Sequence, residues 1–446
     1  MSEAVMRRFV SMSLFLLSLS LVSCSTSGGA NSSCLDASAR LRSLDVIRAA
    51  DAVPTITSIS TQRGPAEGAV QGGTSVFIRG TNFGADTVVS FGGKASPCIL
   101  VQDSGFIIAE AGPVFLSGLV EVTVTTGGQI AVKPDGFRYT PLVAFSSNRT
   151  GNFEIFTMSI GGFNIKQVTN NALGQQGQQP AADEINESPV FSPDGKDIVY
   201  VSNKSGGKDV FIAGRTGTNP SNLTNNVAAA DIDPVFSPDG NSIVFASQLN
   251  SAIFPNSGGD LEIFRMNRDG SNLTRLTANV AIDDRDPSYS PDGSRIVYTS
   301  GPQNDGETDL FIMDSLDGDN KLALPSNSDF DFDPVFSPDG TQVIFARDQN
   351  DTKELWVVNS DGSGFPTQLT FGEANAEGPV FLPGRGDDKT RLLFQQTAAA
   401  KSEILKLTCT GTTTPVTRFI FLCDPTIVSD NISLHVNSDN DPTVSP

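Results

Sequence analysis

The sequence has almost no histidine: one, His435, in 446 residues. A lone imidazole excludes a metal site built on several of them. No Gly-x-Ser-x-Gly elbow offers a nucleophile to pair with it, so His435 reads as a structural or surface residue. Positive charge is also short. Lys and Arg number 30 against 50 Asp and Glu, a formal net charge of −20. That balance argues against nucleic acid and against anionic membrane surfaces as direct partners, and part of it serves solubility. Long apolar runs are missing beyond the first residues. The stretch Phe9 to Val22 is too short to span a bilayer, and no later segment approaches membrane-span length. Cysteine is scarce, at five residues, and none forms a metal-binding cluster.

What is present is a repeated phrase. Pro-Val-Phe-Ser-Pro-Asp-Gly occupies Pro189 to Gly195, Pro234 to Gly240 and Pro334 to Gly340. Pro287 to Gly293 carries it as Pro-Ser-Tyr-Ser-Pro-Asp-Gly, and Pro379 to Gly384 is a worn copy without the Asp. The leading prolines lie 45, 53, 47 and 45 residues apart. A period of that size marks a propeller or solenoid array. After each phrase comes an apolar run ending in an aromatic, such as Ile243-Val244-Phe245. A polar loop follows, then an acid heading a second apolar-aromatic run, such as Glu262-Ile263-Phe264. The unit closes near Leu-Thr, as at Leu276-Thr277. Four short strands per unit, repeated radially, make the blades of a propeller.

The phrase has a plain physical meaning. Pro presets φ, Asp bonds nearby backbone, and Gly accepts positive φ, so Ser-Pro-Asp-Gly is a tight turn between strands. Its aspartates read as turn formers rather than catalysts. The aromatic and aliphatic positions go between sheets, where each buried Phe contributes about 1.5–3 kcal/mol.

This pattern resembles the TolB-type β-propeller repeat over residues 141–446, which implies a six-bladed propeller of the cell envelope. Five units are complete. The sixth has second, third and fourth strands at Leu142-Val143-Ala144-Phe145, Glu154-Ile155-Phe156 and Gln167-Val168-Thr169 but no first strand. Asp441-Pro442-Thr443-Val444 repeats the form of Asp233-Pro234-Val235-Phe236 and then stops. The expectation is that this last segment fills the vacancy and closes the ring.

Ahead of the propeller lie three other pieces. Arg7 and Arg8 precede the short apolar run, and Leu21-Val22-Ser23-Cys24 ends it. The flanks are those of a signal peptide. The ending resembles the bacterial lipobox, which implies cleavage after residue 23 and lipids on Cys24. An ordinary signal peptide with an incidental Cys is the alternative. Losing two positive charges and one negative with that segment takes the net charge to −21. Residues 24–53 read as a tether, Ser/Gly/Asn-rich at first, with a short helix as one option over Leu35 to Val53.

Residues 54–140 carry no copy of the repeat. They alternate polar and apolar residues and turn at Gly72-Gly73, Gly92-Gly93 and Gly127-Gly128, the signature of a small β-sandwich. The segments Pro54-x-Ile56-x-x-Ile59, Gly80-Thr81-Asn82-Phe83-Gly84, Val89-x-Phe91-Gly92-Gly93 and Phe137-x-Tyr139 resemble the IPT/TIG immunoglobulin-like domain. The fold class is therefore all-β: an immunoglobulin-like sandwich, then a six-bladed propeller closed by the C-terminal strand.

Candidate chemistry falls in three places. With Cys24 carrying the anchor, Cys34, Cys98, Cys409 and Cys423 remain, and in an exported chain four cysteines allow three disulfide pairings. Cys409 with Cys423 is the favoured pair because they sit close together in one blade. Carboxylates precede the first-strand prolines, in pairs at Asp231/Asp233, Asp284/Asp286, Asp331/Asp333 and Asp439/Asp441. Placed before the innermost strands, they are expected to ring the channel mouth, where oxygen ligands suit a hard cation such as Ca²⁺. The competing reading is that each Asp closes its own turn. Finally, one face of the propeller should be all tight turns. The other should carry long polar loops, Gln248 to Asp260, Gly301 to Thr308, Arg347 to Lys353 and Asn171 to Asn186, where binding is usually placed.

The function expected is a lipid-anchored envelope protein that binds a protein or glycan through its long-loop face. The alternative is a propeller lyase or hydrolase acting on an envelope or extracellular polysaccharide. That enzyme needs His, Arg and carboxylates clustered on the loop face, and only carboxylates are visible.

Overall fold

The computed structural model describes residues 52–62, 65–70, 72–114, 117–159, 165–170, 184–225, 229–255, 258–302, 307–326, 329–349, 351–371, 375–381, 389–398, 401–411, 421–423 and 439–444. The signal segment, the tether with its optional helix, most of the Gln-rich loop and His435 lie outside this set. Every regular element described is a strand, so no described helix is long and apolar enough to cross a membrane. The chain divides into two units, one of residues up to Thr140 and one of Pro141 onward, with Phe115–Ser117 grouped with the second.

The first unit is a sandwich of two sheets. One has the order Thr55–Thr61, Thr74–Thr81, Phe106–Ala111, Ile99–Asp103. The other runs Glu67–Ala69, Gln129–Thr140, Gly118–Thr126, Val88–Phe91, Lys94–Ala95. Alternation along Thr74–Thr81 and Gly118–Thr126 sends Val76, Ile78, Val122 and Val124 inward. Phe91 meets Phe137 edge-on at 5.2 Å, and Phe137 meets Tyr139 at 5.1 Å. The Tyr139 hydroxyl donates to the Gly112 carbonyl at 2.9 Å. At Gly80 any Cβ would stand 1.8 Å from the Thr55 carbonyl oxygen, so the strand pairing there admits only glycine.

The second unit is six four-stranded antiparallel sheets. Blades 2 to 6 are continuous in sequence, with first strands Asn186–Phe191, Asp231–Phe236, Ile282–Tyr289, Phe330–Phe336 and Asn375–Phe381. Blade 1 takes Leu142–Ser147, Glu154–Ser159 and Lys166–Gln167 from the start of the unit and Asp439–Val444 from the end of the chain. Val143 pairs with Val444 and Ser147 with Asp439. Each innermost strand touches the next, and Asp439–Val444 touches those of blades 2 and 6, so the ring closes through the C-terminal strand as expected.

The repeated aromatics explain why blades stack. Second and third strands place aromatics opposite one another: Phe145 and Phe156, Tyr200 and Phe211, Phe245 and Phe264, Tyr298 and Phe311, stacked at 5.8–6.0 Å. Around them Val, Ile and Leu from adjacent blades form shared clusters, for example Val199 and Val210 of blade 2 with Phe236, Ile243 and Phe245 of blade 3. Cations seal several of these layers. Arg347 covers Phe345 and Trp356, and Arg268 covers Phe236.

Candidate functional site

At one end of blades 2 to 5 the turns use their own polar groups. In the Ser-Pro-Asp-Gly turns the Ser hydroxyl donates to the Asp carboxylate, at 2.7 Å for Ser192 and Asp194 and 2.6 Å for both Ser290 with Asp292 and Ser337 with Asp339. The same carboxylates accept the backbone N–H two residues on, from Lys196, Ser294 and Thr341. Gly195, Gly240, Gly293 and Gly340 complete the turns with φ between 65° and 74°. Hydrogen bonds from Ser290 and Ser294 hold the Asp292 carboxyl at about 2. For Asp194 burial pushes upward, but bonds from Ser192 and Lys196 and the charge of Arg268 bring it down to about 2 as well. These aspartates are turn formers whose lone pairs are already used.

The paired carboxylates divide into two jobs. First members turn toward the neighbouring strand of their own blade or the connection that leads into it. Ser247 donates to Asp231 at 2.5 Å, Asn279 to Asp284 at 2.7 Å, and Arg347 grips Asp331 with two bonds of 2.6 and 2.8 Å. All three aspartates are fully buried. Second members sit in a bulge that every first strand of blades 2 to 6 carries just before its proline. Pro has no N–H to offer the ladder, so a bulge is where it fits. The residue before it is left-handed each time: Ser188, Asp233, Asp286, Asp333 and Gly378, with φ of 50–62°. From there Asp286 Oδ2 faces the Asp333 N–H at 3.5 Å, and Asp333 Oδ2 accepts the Gly378 N–H at 3.0 Å. Burial pushes the Asp286 carboxyl up, with bonds to Thr299 and the Asp333 backbone opposing.

The pairs thus tie strand to strand and blade to blade. Among the described residues no three His, Cys, Asp or Glu side chains are placed to hold a metal ion. Asp439 and Asp441 lie in the closing strand, where only the backbone is described. Cys409 and Cys423 face each other across neighbouring strands of blade 6. Cys98, in the sandwich, is disulfide-bonded.

One recurring device went unread in the sequence. In blades 1, 2, 3 and 5 the acid that heads the third strand is clasped by the Thr that closes the unit. Thr169 donates to Glu154 at 2.5 Å, Thr224 to Asp209 at 3.3 Å, Thr277 to Glu262 at 2.6 Å, and Thr370 to Glu354. The same hydroxyl accepts the next residue's N–H, from Ile155, Val210, Ile263 and Leu355. The signal was available: acid and Thr recur 15 or 16 residues apart.

The opposite end of the blades is open. Its loops expose large apolar side chains: Ile253 at 80%, Val280 at 81%, Phe330 at 45% and Phe371 at 76%. Ile253 lies in the long loop of blade 3, Val280 and Phe371 lie on the connections from blade 3 to 4 and from blade 5 to 6, and Phe330 opens the first strand of blade 5. Beside them Glu307, Asp309 and Asp351 are exposed.

Comparison with known proteins agrees with this architecture. Residues 54–139 match the family model of the IPT/TIG domain. A curated relative, the protein TolB homolog of Chlorobium luteolum, is 27% identical over 222 residues, covering 50% of this chain and 45% of its own. The chain therefore spans less than half the length of that relative. Among solved structures, TolB from Acinetobacter baumannii superposes with a TM-score of 0.51 at 16% identity, over 81% of this chain and 83% of that one. The chain thus resembles an IPT/TIG domain joined to a TolB-like propeller.

Proposed function

We propose that this is a binding or scaffold protein of the bacterial cell envelope, engaging an envelope protein or glycan through the long-loop face of its propeller. The asymmetry of the two blade ends carries this reading. One end is built of short turns that use their own polar groups, with Leu316 and Phe365 exposed beside them, while the other carries the longer loops, with Ile253, Val280, Phe330 and Phe371 among carboxylates on a rigid ring. The described carboxylates of the repeat have structural partners, which favours binding over catalysis. The disulfide at Cys98 suits an oxidising compartment outside the cytosol. Within the same reading Cys24 carries the lipid anchor. Cys409 bonds Cys423, which it faces in register, and Cys34 is left for Cys98. Multiple acyl chains on one Cys give stable anchoring, at about 0.8 kcal/mol per buried CH₂.

The test replaces Ile253, Val280, Phe330 and Phe371 together by Ser and compares capture of partners from crosslinked cells with that of a variant altered at Asp269 and Asp361 on the tight-turn end. Loss of the partner only in the loop-face variant is expected. Equal capture by both would remove the loop face from the account. Mass spectrometry of the mature N-terminus checks the anchor: a diacylated or triacylated Cys24 is expected, and an unmodified one contradicts it.

A further inference from the structure

Between the last strand of blade 3, Thr274–Arg275, and the first strand of blade 4, Ile282–Tyr289, the chain crosses the loop face and exposes Val280. Carboxylates hold this connection from beneath. Glu262 Oε1 accepts the Asn279 N–H at 2.5 Å, Asp260 Oδ2 accepts the Ala281 N–H at 2.9 Å, and Asp284 Oδ2 accepts the Asn279 side-chain amide at 2.7 Å. Asp283 Oδ1 accepts the Leu261 N–H at 2.8 Å. All four acids are less than a tenth exposed. Ala281 is held left-handed at φ 58°, a conformation that costs a non-glycine residue about 1 kcal/mol or more.

At the equivalent blade 2–3 junction Asp209 and Asp231 are both buried, but Asn222 donates to Asp209 and Ser247 to Asp231; three other junctions neutralise or lack the second carboxyl. Glu154 meets Asn186, whose amide donates to it at 3.0 Å. Asp331 has Arg347. After Glu354 the matching position is Ala376. At the blade 3–4 junction Glu262 meets Asp284, and Asp284 Oδ1 is buried with no hydrogen-bond partner. Thr277 stands between them. It bonds Glu262 Oε2 at 2.6 Å and accepts the Ile263 N–H at 2.8 Å. With both acids ionised, the single Thr277 proton serves Glu262, and of the two nearby hydroxyls only that of Ser300 is left to oppose the burial of Asp284. With one proton added, Glu262 Oε2–H donates to Thr277 Oγ1, and the Thr277 hydroxyl hydrogen is free for Asp284. One proton then satisfies both carboxyls and removes their repulsion.

We propose that Glu262, Thr277 and Asp284 form a proton-operated latch on the blade 3–4 connection, holding Val280 in place on the loop face when protonated and loosening it when the proton leaves. Burial pushes the Glu262 carboxyl up to about 7, with the Thr277 bond opposing and the Asp284 charge adding to the rise. Asp284 is also raised by burial, against the hydroxyls of Ser300 and Thr277. The charged neighbours are accounted for. Arg275 pulls Glu262 down and Lys321 pulls Asp284 down, while Asp283 pushes Asp284 up. Arg285 is engaged by Asp283, Asp260 by the connection itself, and the Tyr298 phenol stays protonated beside both acids. Because Glu262 is raised from an ordinary 4.5, the held state has its full stability below that value and loses it as pH rises through about 7.

The latch regulates the face assigned to binding above, and its test reads the connection alone, so either idea can fail without the other. Hydrogen exchange of the full chain is followed by mass spectrometry for the amides of residues 279–284, corrected for the intrinsic pH dependence of exchange. From about pH 6 to about pH 8 opening should rise about tenfold in the wild type, the ratio that one proton titrating near 7 in the held state gives. Amides of Ile263–Met266 should not change. Glu262→Gln should abolish the tenfold rise, and Asp284→Asn should reduce it severalfold by removing the like charge. If Glu262→Gln does not fold, Asp284→Asn decides. A wild type without the rise, or variants that keep it in full, overturns the latch.

Discussion

Replacing Arg347 by Met should be among the most damaging single changes to the propeller. Its guanidinium and the Asp331 carboxylate are both fully buried, joined by bonds of 2.6 and 2.8 Å. Removing Arg347 strands a carboxylate in the blade. Burial already pushes Asp331 up, and Arg347 is the chief influence pulling it down, so in the variant the group escapes by taking a proton. Raising a carboxyl from its ordinary 3.8 to a working pH of about 7 costs about 1.4 kcal/mol per unit, a ceiling of about 4 kcal/mol. That agrees with the roughly 3–5 kcal/mol typical of a broken buried pair. The sign in pH follows. The cost should be largest near pH 8 and shrink to about 2 kcal/mol near pH 5, because protonated Asp331 no longer needs a partner. The only tryptophan, Trp356, lies 5.2 Å from the guanidinium, so urea unfolding followed by its fluorescence reports on this blade. Asp331→Leu combined with Arg347→Met, which removes both charges, should cost much less than the single change. A single variant that loses under about 1 kcal/mol, or loses more as pH falls, would refute the reasoning.

Two further outcomes follow from the same structure. Acid unfolding should begin once the turn aspartates protonate. Asp292 is held at about 2, so its contribution is complete above its ordinary 3.8 and disappears as pH falls through about 2. As Asp292 is exposed, Asp292→Asn should cost at most about 1 kcal/mol at pH 7 and flatten that acid limb in circular dichroism. Truncation after Asn437 removes Asp439–Val444 and leaves the buried edge Leu142–Ser147 without its pairing partner. The truncated chain should melt several degrees lower and self-associate, and an equal melting temperature with a monomeric profile would show that the ring does not need this strand.

The architecture was legible because the propeller repeats its phrase in five of its six blades. The period, the Pro-Asp-Gly turns and the vacant strand of blade 1 all follow from composition at fixed offsets. The carboxylate pairs were harder. Asp231 and Asp233 are two residues apart, which in a regular strand puts both on one face. The bulge at Asp233-Pro234 breaks that alternation and gives them different partners. Such a bulge has a faint mark in the sequence, namely Asp, Ser or Gly before each proline, residues that tolerate positive φ. Arg347 was visible only as a loop residue. Its role depends on hairpin register, which sets it opposite Asp331. Ile253, Val280 and Phe371 lie on loops without periodicity and Phe330 opens a strand, so only the folded ring shows that they share one end.

The central claim is that the loop face, and not the tight-turn face, meets the partner. Site-specific photocrosslinkers placed singly at Ile253, Val280, Phe330 and Phe371, and at Asp269 and Asp361 as the opposite set, test it most directly in intact cells. Adducts of one common mass from the first four positions and none from the last two are the predicted result. Adducts from Asp269 and Asp361, with the loop positions silent, would contradict it.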